Sequence, residues 1–168
     1  MKTRKNSIEK IVVNTSFGKL ATNTPDFVGK VLPEIEEQFA AIVGQKGQHR
    51  AARISISGFK LREGVIIALK ATLRGVRANQ FLARTVSIAM PRVRDFQGIK
   101  RSGIDEHGNL TFGIKEHSVF PEIVLEKVRF PFGFEVTIVP KMPMTKAEAL
   151  DFYVSLGVPF EKIKTKNS

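Results

Sequence analysis

The stretch Gly44–Arg77, GQKGQHRAARISISGFKLREGVIIALKATLRGVR, decides how the rest of the chain is read. From Lys46 to Arg77 it holds eight Lys/Arg against one acid, Glu63, so a local charge of +7 sits within a total of +11. Two strands are predicted, Ala51–Ser57 and Val65–Arg74, joined by a glycine-flanked tip, Gly58–Gly64. In the second strand, alternation places Val65, Ile67, Leu69, Ala71 and Leu73 on one face, and Ile66, Ala68, Lys70, Thr72 and Arg74 on the other. A sheet that buries the first face and presents cations and a hydroxyl on the second suits a phosphate-rich, hydroxyl-bearing partner, and RNA leads. A merely solvated sheet face carries the same residue types, so the strand alone weighs evenly. The charge tips the balance, because such a block repels itself unless an anion arrives.

The remaining composition is that of a soluble globular chain, 42% apolar and 26% charged over 168 residues, which predicts one domain spanning 1–168. With no cysteine, disulfides and thiolate catalysis are excluded. No apolar run approaches about 18 residues and no leader pattern opens the chain, so neither a membrane span nor a secretory signal is expected, and no membrane partner. A pI of 10.1 is the electrostatic footprint of a nucleic-acid binder.

Around the hairpin, Ile8–Thr15 alternates as a strand, with Ile11 and Val13 on one side and Lys10, Val12 and Asn14 on the other. A cation and an amide thus repeat the polar-face pattern. Thr24-Pro25 reads as a helix start, and the helix runs to Val43 with Pro33 kinking or restarting it and Gly44 stopping it. Gly44-Gln45-Lys46-Gly47 matches the GxxG clamp of KH domains, but a strand-like segment follows, so it reads as a helix stop and turn. Ala78–Ala89 is a predicted helix ended by Pro91, and Ile99–Asn109 a mixed-charge loop. Leu110–Lys115 and Phe134–Val139 are strands, Phe120–Ile123 a turn, and Thr145–Glu148 a capping box opening the last helix. The pattern predicts an α+β fold, a mainly antiparallel sheet with helices packed on its apolar face and the other face free for RNA.

Catalysis finds little support. His49, His107 and His117 show no metal-ligand spacing, and neither a zinc-protease motif nor a phosphate-binding glycine loop is present. Asp95 and Asp105 are the one acid pair that could hold a metal for phosphodiester cleavage, yet solvated acids in polar loops look the same. No enzyme, cofactor or metal site is expected.

The ordered motifs IEKIVVNTSFG, GQK after a helix, ISGFKLREG, KATLRG, PRVRDFQGI, GNLTFGIKEH and VFPEI, from Ile8 to Phe160, resemble the bacterial-type family of large-subunit ribosomal protein five. That resemblance implies a curved sheet whose concave face takes 5S rRNA in the central protuberance, on a cytoplasmic or organellar ribosome. It implies 5S rRNA contacts at Lys10, Asn14, Gln45, Thr72 and Arg74, to which the alternation adds Lys70. Ser57, Gly58, Phe59, Lys60, Leu61 and Arg62 resemble the tip that meets P-site tRNA. For Phe59 an RNA-facing ring and a core anchor of the hairpin stand level. The loop from Arg94 to Asn109, with Arg94, Lys100, Arg101 and His107, resembles the segment that bridges to small-subunit ribosomal protein thirteen. Other large-subunit proteins of the central protuberance are implied neighbours. An extra-ribosomal RNA-binding regulator or chaperone is the alternative.

The chain also departs from the family pattern. Its first strand comes almost at once, where the family has some twenty residues of helical segment. Gly47-Gln48-His49 follows Lys46 where proline is usual. Ile104–Asn109 reads IDEHGN where the family shows FDGRGN, and His117 stands for a usual glutamine.

Overall fold

In the computed structural model, which describes residues 7–161, the chain begins with β1 (Ile8–Ser16) and α1 (Gly18–Asn23). A π-helical turn (Phe27–Val31) runs into α2 (Leu32–Val43), followed by β2 (Gln48–Ala51) and β3 (Ile66–Leu73). Then come α3 (Gly75–Arg84), a second π-helical turn (Thr85–Ala89) and α4 (Met90–Arg92). β4 (Leu110–Ile114), β5 (Phe134–Pro140) and α5 (Lys146–Ser155) complete it. The strands form one open antiparallel sheet in the order β2-β3-β1-β5-β4, so the fold is α+β. The residues fall into two compact units. One comprises Arg74–Phe112 with the described parts of Met1–Ile11 and Thr137–Ser168; the other comprises Val12–Leu73 and Gly113–Val136.

In the second of these units, α2 buries Leu32, Ile35, Phe39, Ile42 and Val43, the stripe that helical spacing demands. Pro33 lies in its first turn, where a missing N–H costs nothing, so it restarts the helix. Gly44 ends it at φ 74°, its N–H donating to the Ala40 carbonyl at 2.8 Å. Gly47 then lets the backbone slip between helix and sheet: a Cβ there would stand 2.9 Å from the Phe39 ring and 3.2 Å from Leu69. β3 buries Leu69, Ala71 and Leu73 on that side.

Two expectations need correction here. Thr24 caps the end of α1, and Asp26, at φ 54°, leads into the π turn, so Thr24-Pro25 starts no helix. Nor is Ala51–Ser57 a strand. Pairing with β3 begins at Gln48, its register shifts between Arg50 and Ala51, and only an isolated Ile56–Leu61 bridge closes the tip. Arg53, Ile54, Ser55 and Ile56 are all exposed, so the alternation that looked strand-like has no core to face.

In the other unit, the predicted helix Ala78–Ala89 extends at both ends, from Gly75 to Arg92, burying Ala78, Phe81, Leu82, Thr85, Ala89 and Met90. The capping box on α5 is formed: the Thr145 N–H donates to Glu148 Oε2 at 3.0 Å, and the Glu148 N–H to Thr145 Oγ1 at 3.4 Å. From α5 the buried Tyr153 hydroxyl reaches the Gly108 carbonyl at 2.8 Å and the Ile138 carbonyl at 3.2 Å, and burial pushes its pKa far up. This ties the end of the Ile99–Asn109 loop to α5 and β5.

Candidate nucleic-acid interface

In the unit holding α2, the buried partners of each strand settle which way the polar residues face. Asn14 lies between buried Val13 and Thr15, whose Oγ1 donates to the Gly133 carbonyl at 2.7 Å. Lys70 and Thr72 alternate with buried Leu69, Ala71 and Leu73. Because β1 and β3 are neighbours, Asn14, Lys70 and Thr72 lie half-exposed on the uncovered face. Gln45 stands in the turn after Gly44, before Gln48, which pairs with Lys70. Cross-strand partners point to one side, so Gln48 joins that face, and Arg50 Nη2 donates to Gln48 Oε1 at 3.0 Å. Sequence reading missed Gln48 and Arg50 because it set the strand three residues too late; the alternation of Gln48 and Arg50 against Lys70 was the available signal.

At the tip, Ser57, Gly58 and Phe59 form a 3-10 turn, and Lys60 takes φ 52°. Phe59 is 73% exposed, which removes the core-anchor alternative for its ring. Lys60 and Arg62 are exposed beside it, and the Glu63 N–H donates to Ser55 Oγ at 2.9 Å.

In the unit holding α3, Lys10 and the exposed Arg74 converge on one carboxylate. Arg74 Nη1 lies 3.2 Å and Lys10 Nζ 3.7 Å from Glu9 Oε1. The Arg74 hydrogen bond, then the Lys10 charge, hold the Glu9 carboxyl below its usual range. Glu9 is a functional neighbour that alternation alone did not single out. Arg94, Lys100, Arg101 and His107 are all exposed along the following loop. Asp105 organises that loop, accepting from the His107 N–H (2.9 Å), the Asn109 N–H (2.8 Å) and Asn109 Nδ2 (2.7 Å). Burial works to raise its pKa, but those hydrogen bonds outweigh it and lower the carboxyl overall. Its oxygens are therefore committed to the turn. Among the described residues no three His, Cys, Asp or Glu side chains gather to hold a metal.

His117 is buried, its ring stacked on Phe132 at 4.0 Å, with the Phe132 N–H donating to Nδ1 at 3.3 Å and Nε2 buried without a partner. Desolvation lowers its pKa against the opposing pull of the Phe132 backbone, Glu116 and Glu34. Below about pH 6.5 the unfolded chain takes up a proton that the folded imidazole resists. Stability should therefore be level above that pH and fall as pH drops below it. His117→Gln should flatten this limb, so urea midpoints of the two proteins, compared at pH 7 and pH 5, should diverge less for the variant. An identical pH dependence would sink the assignment.

Among the described residues no helix is long and apolar enough to cross a membrane. A model of the C-terminus of the ribosomal protein uL5 family matches residues 66–160, from β3 into the segment after α5. The chain is also 44% identical over 153 residues to the large ribosomal subunit protein uL5 of Dehalococcoides mccartyi, covering 91% of this chain and 82% of that one. The protein of the same name from Helicobacter pylori is 39% identical (94% and 83% covered), and that from Acholeplasma laidlawii 43% (92% and 83% covered). A likeness that runs through both strands of the polar face and nearly the whole length establishes that this chain belongs to the ribosomal protein uL5 family.

Proposed function

We propose that the chain is a structural, non-catalytic constituent of the large ribosomal subunit that docks on 5S rRNA. Asn14, Gln45, Lys70 and Thr72 form one cluster of contacts, Lys10 and Arg74 another. The carrying observation is that buried Val13, Leu69, Ala71 and Leu73 force Asn14, Lys70 and Thr72 outward on adjacent strands. Hydroxyl, amide and ammonium groups on a sheet face match the 2′-hydroxyls and phosphates of folded RNA. The exposed Phe59 ring between Gly58 and Lys60, with Ser57 and Arg62 close by in sequence, supports contact of the tip with P-site tRNA, since an aromatic face and cations suit an RNA surface. The exposed Arg94, Lys100, Arg101 and His107 support a bridge to small-subunit ribosomal protein thirteen.

A filter-binding titration with 5S rRNA tests the reading. If about four to six phosphates are engaged, log affinity should fall against log salt with a slope of roughly −3 to −5. A slope near zero, or equal affinity for an unrelated RNA of the same length, would overturn 5S recognition. In cell extract at moderate salt, the protein should sediment with large subunits; sedimentation free of them would favour an extra-ribosomal regulator or chaperone.

A further inference from the structure

Between Glu63 and Asp95 the chain carries six Lys/Arg and no acid over 31 residues. The sheet face takes Lys70 and Arg74; the other four lie on or just after the helix of α3 and α4. That helix buries Ala78, Phe81, Leu82, Thr85, Ala89 and Met90, which leaves Arg77, Arg84 and Arg92 for its outer side. Arg77 and Arg92 are exposed and Arg84 half-buried.

Their alignment depends on the π turn. Arg77 and Arg84 are seven residues apart, close to two α-helical turns. Arg84 and Arg92 are eight apart, which in an unbroken α-helix overshoots two turns by about 80° and swings Arg92 toward the buried side. The π turn Thr85–Ala89 absorbs about one extra residue and restores the register. Two side chains within this stretch draw on the helix's own carbonyls, Thr85 Oγ1 donating to Phe81 O at 2.8 Å and Ser87 Oγ to Ala83 O at 2.6 Å, the kind of competition that loosens a regular ladder. The result is one guanidinium every two turns, a step of roughly 10–11 Å. Exposed Gln80 and Ser87 lie between them.

We propose that this stripe, Arg77–Arg84–Arg92, is a second RNA-binding surface that grips the sugar-phosphate backbone of an RNA helix other than the 5S segment at the sheet. Guanidinium groups in a row with no carboxylate on the segment favour an anionic backbone, and separate forks can each take a phosphate. In a ribosomal family the anion at hand is RNA. The inference does not require the 5S assignment to hold.

The test uses the full chain and a labelled RNA hairpin of about 20 base pairs, longer than a shape-reading domain spans. Binding is measured with the protein alone and with the protein saturated by 5S rRNA. The wild type should bind the hairpin in both arms. Arg77→Gln/Arg84→Gln/Arg92→Gln should weaken hairpin binding about tenfold or more and reduce the salt slope by about 2–3 units. Its affinity for 5S rRNA should change less than about threefold. Arg77→Lys/Arg84→Lys/Arg92→Lys keeps the charge and should retain most binding, which separates a lost surface from a lost fold. An unchanged hairpin affinity in the glutamine variant, or exclusion of the hairpin by bound 5S rRNA, would overturn the proposal. If 5S rRNA itself fails to bind, the protein-alone arm still decides this surface while the proposed 5S function falls.

Discussion

Arg74→Ala is expected to lower affinity for 5S rRNA by about 1–3 kcal/mol, roughly 5- to 150-fold, in a filter-binding titration at fixed salt. Arg74 ends β3 in an extended conformation immediately before Gly75, so its side chain leaves from the edge of the sheet with little local packing to lose. Its guanidinium already holds Glu9 Oε1 at 3.2 Å, so docking exchanges a carboxylate for a phosphate. Exposed ion pairs are weak, and a doubly charged hydrogen bond to phosphate is stronger, so the exchange remains favourable. Removing Arg74 also leaves Glu9 with Lys10 alone, at 3.7 Å, placing a less neutralised carboxylate where RNA must approach. Loss of affinity with an unchanged melting curve is the expected pair of results. Wild-type affinity in the variant would count against the assigned contact.

Gly98→Ala should destabilise the fold by about 3 kcal/mol, read as a lower urea midpoint. Gly98 takes φ 106°, a region that side chains rarely enter, and a Cβ would fall 2.4 Å from the Phe160 carbonyl carbon and 2.5 Å from the Glu161 nitrogen. The obstacle is backbone, so no rotamer change relieves it. The clash would open the pairing in which the Ile99 N–H donates to Pro159 O at 2.8 Å and the Glu161 N–H to Ile99 O at 3.0 Å. That pairing anchors the loop bearing Lys100, Arg101 and His107, so any bridging contact should weaken in parallel. A urea midpoint equal to wild type would show that the segment after Val158 yields freely.

Much of this was legible because alternation and helical spacing are local. Leu69, Ala71 and Leu73 carried the inward face of β3, and Thr145 with Glu148 marked the start of α5 before any tertiary contact was known. Gly44 likewise announced the end of α2. The failures share a cause. Ile54 and Ile56 alternate like strand residues, but a two-residue period does not reveal whether a core lies opposite, and here none does. Thr24-Pro25 has the chemistry of a helix start, yet Thr24 closes α1 instead. Both π turns escaped notice because their sequences, FVGKV and TVSIA, differ little from ordinary helix.

For the candidate site, residue type and parity along one strand were enough to set Lys10 with Asn14 and Lys70 with Thr72 and Arg74. Nothing along the chain announced that Glu9 would draw Lys10 and Arg74 to one oxygen, sixty-five residues separating the acid from its arginine partner. Nor could it bring Gln48 opposite Lys70, because that depends on where a β-bulge sets the register. Periodicity and charge are properties of a short segment and survive without the fold. Pairing between distant segments exists only once packing has chosen the neighbours, and the electrostatics of this surface depend on that choice.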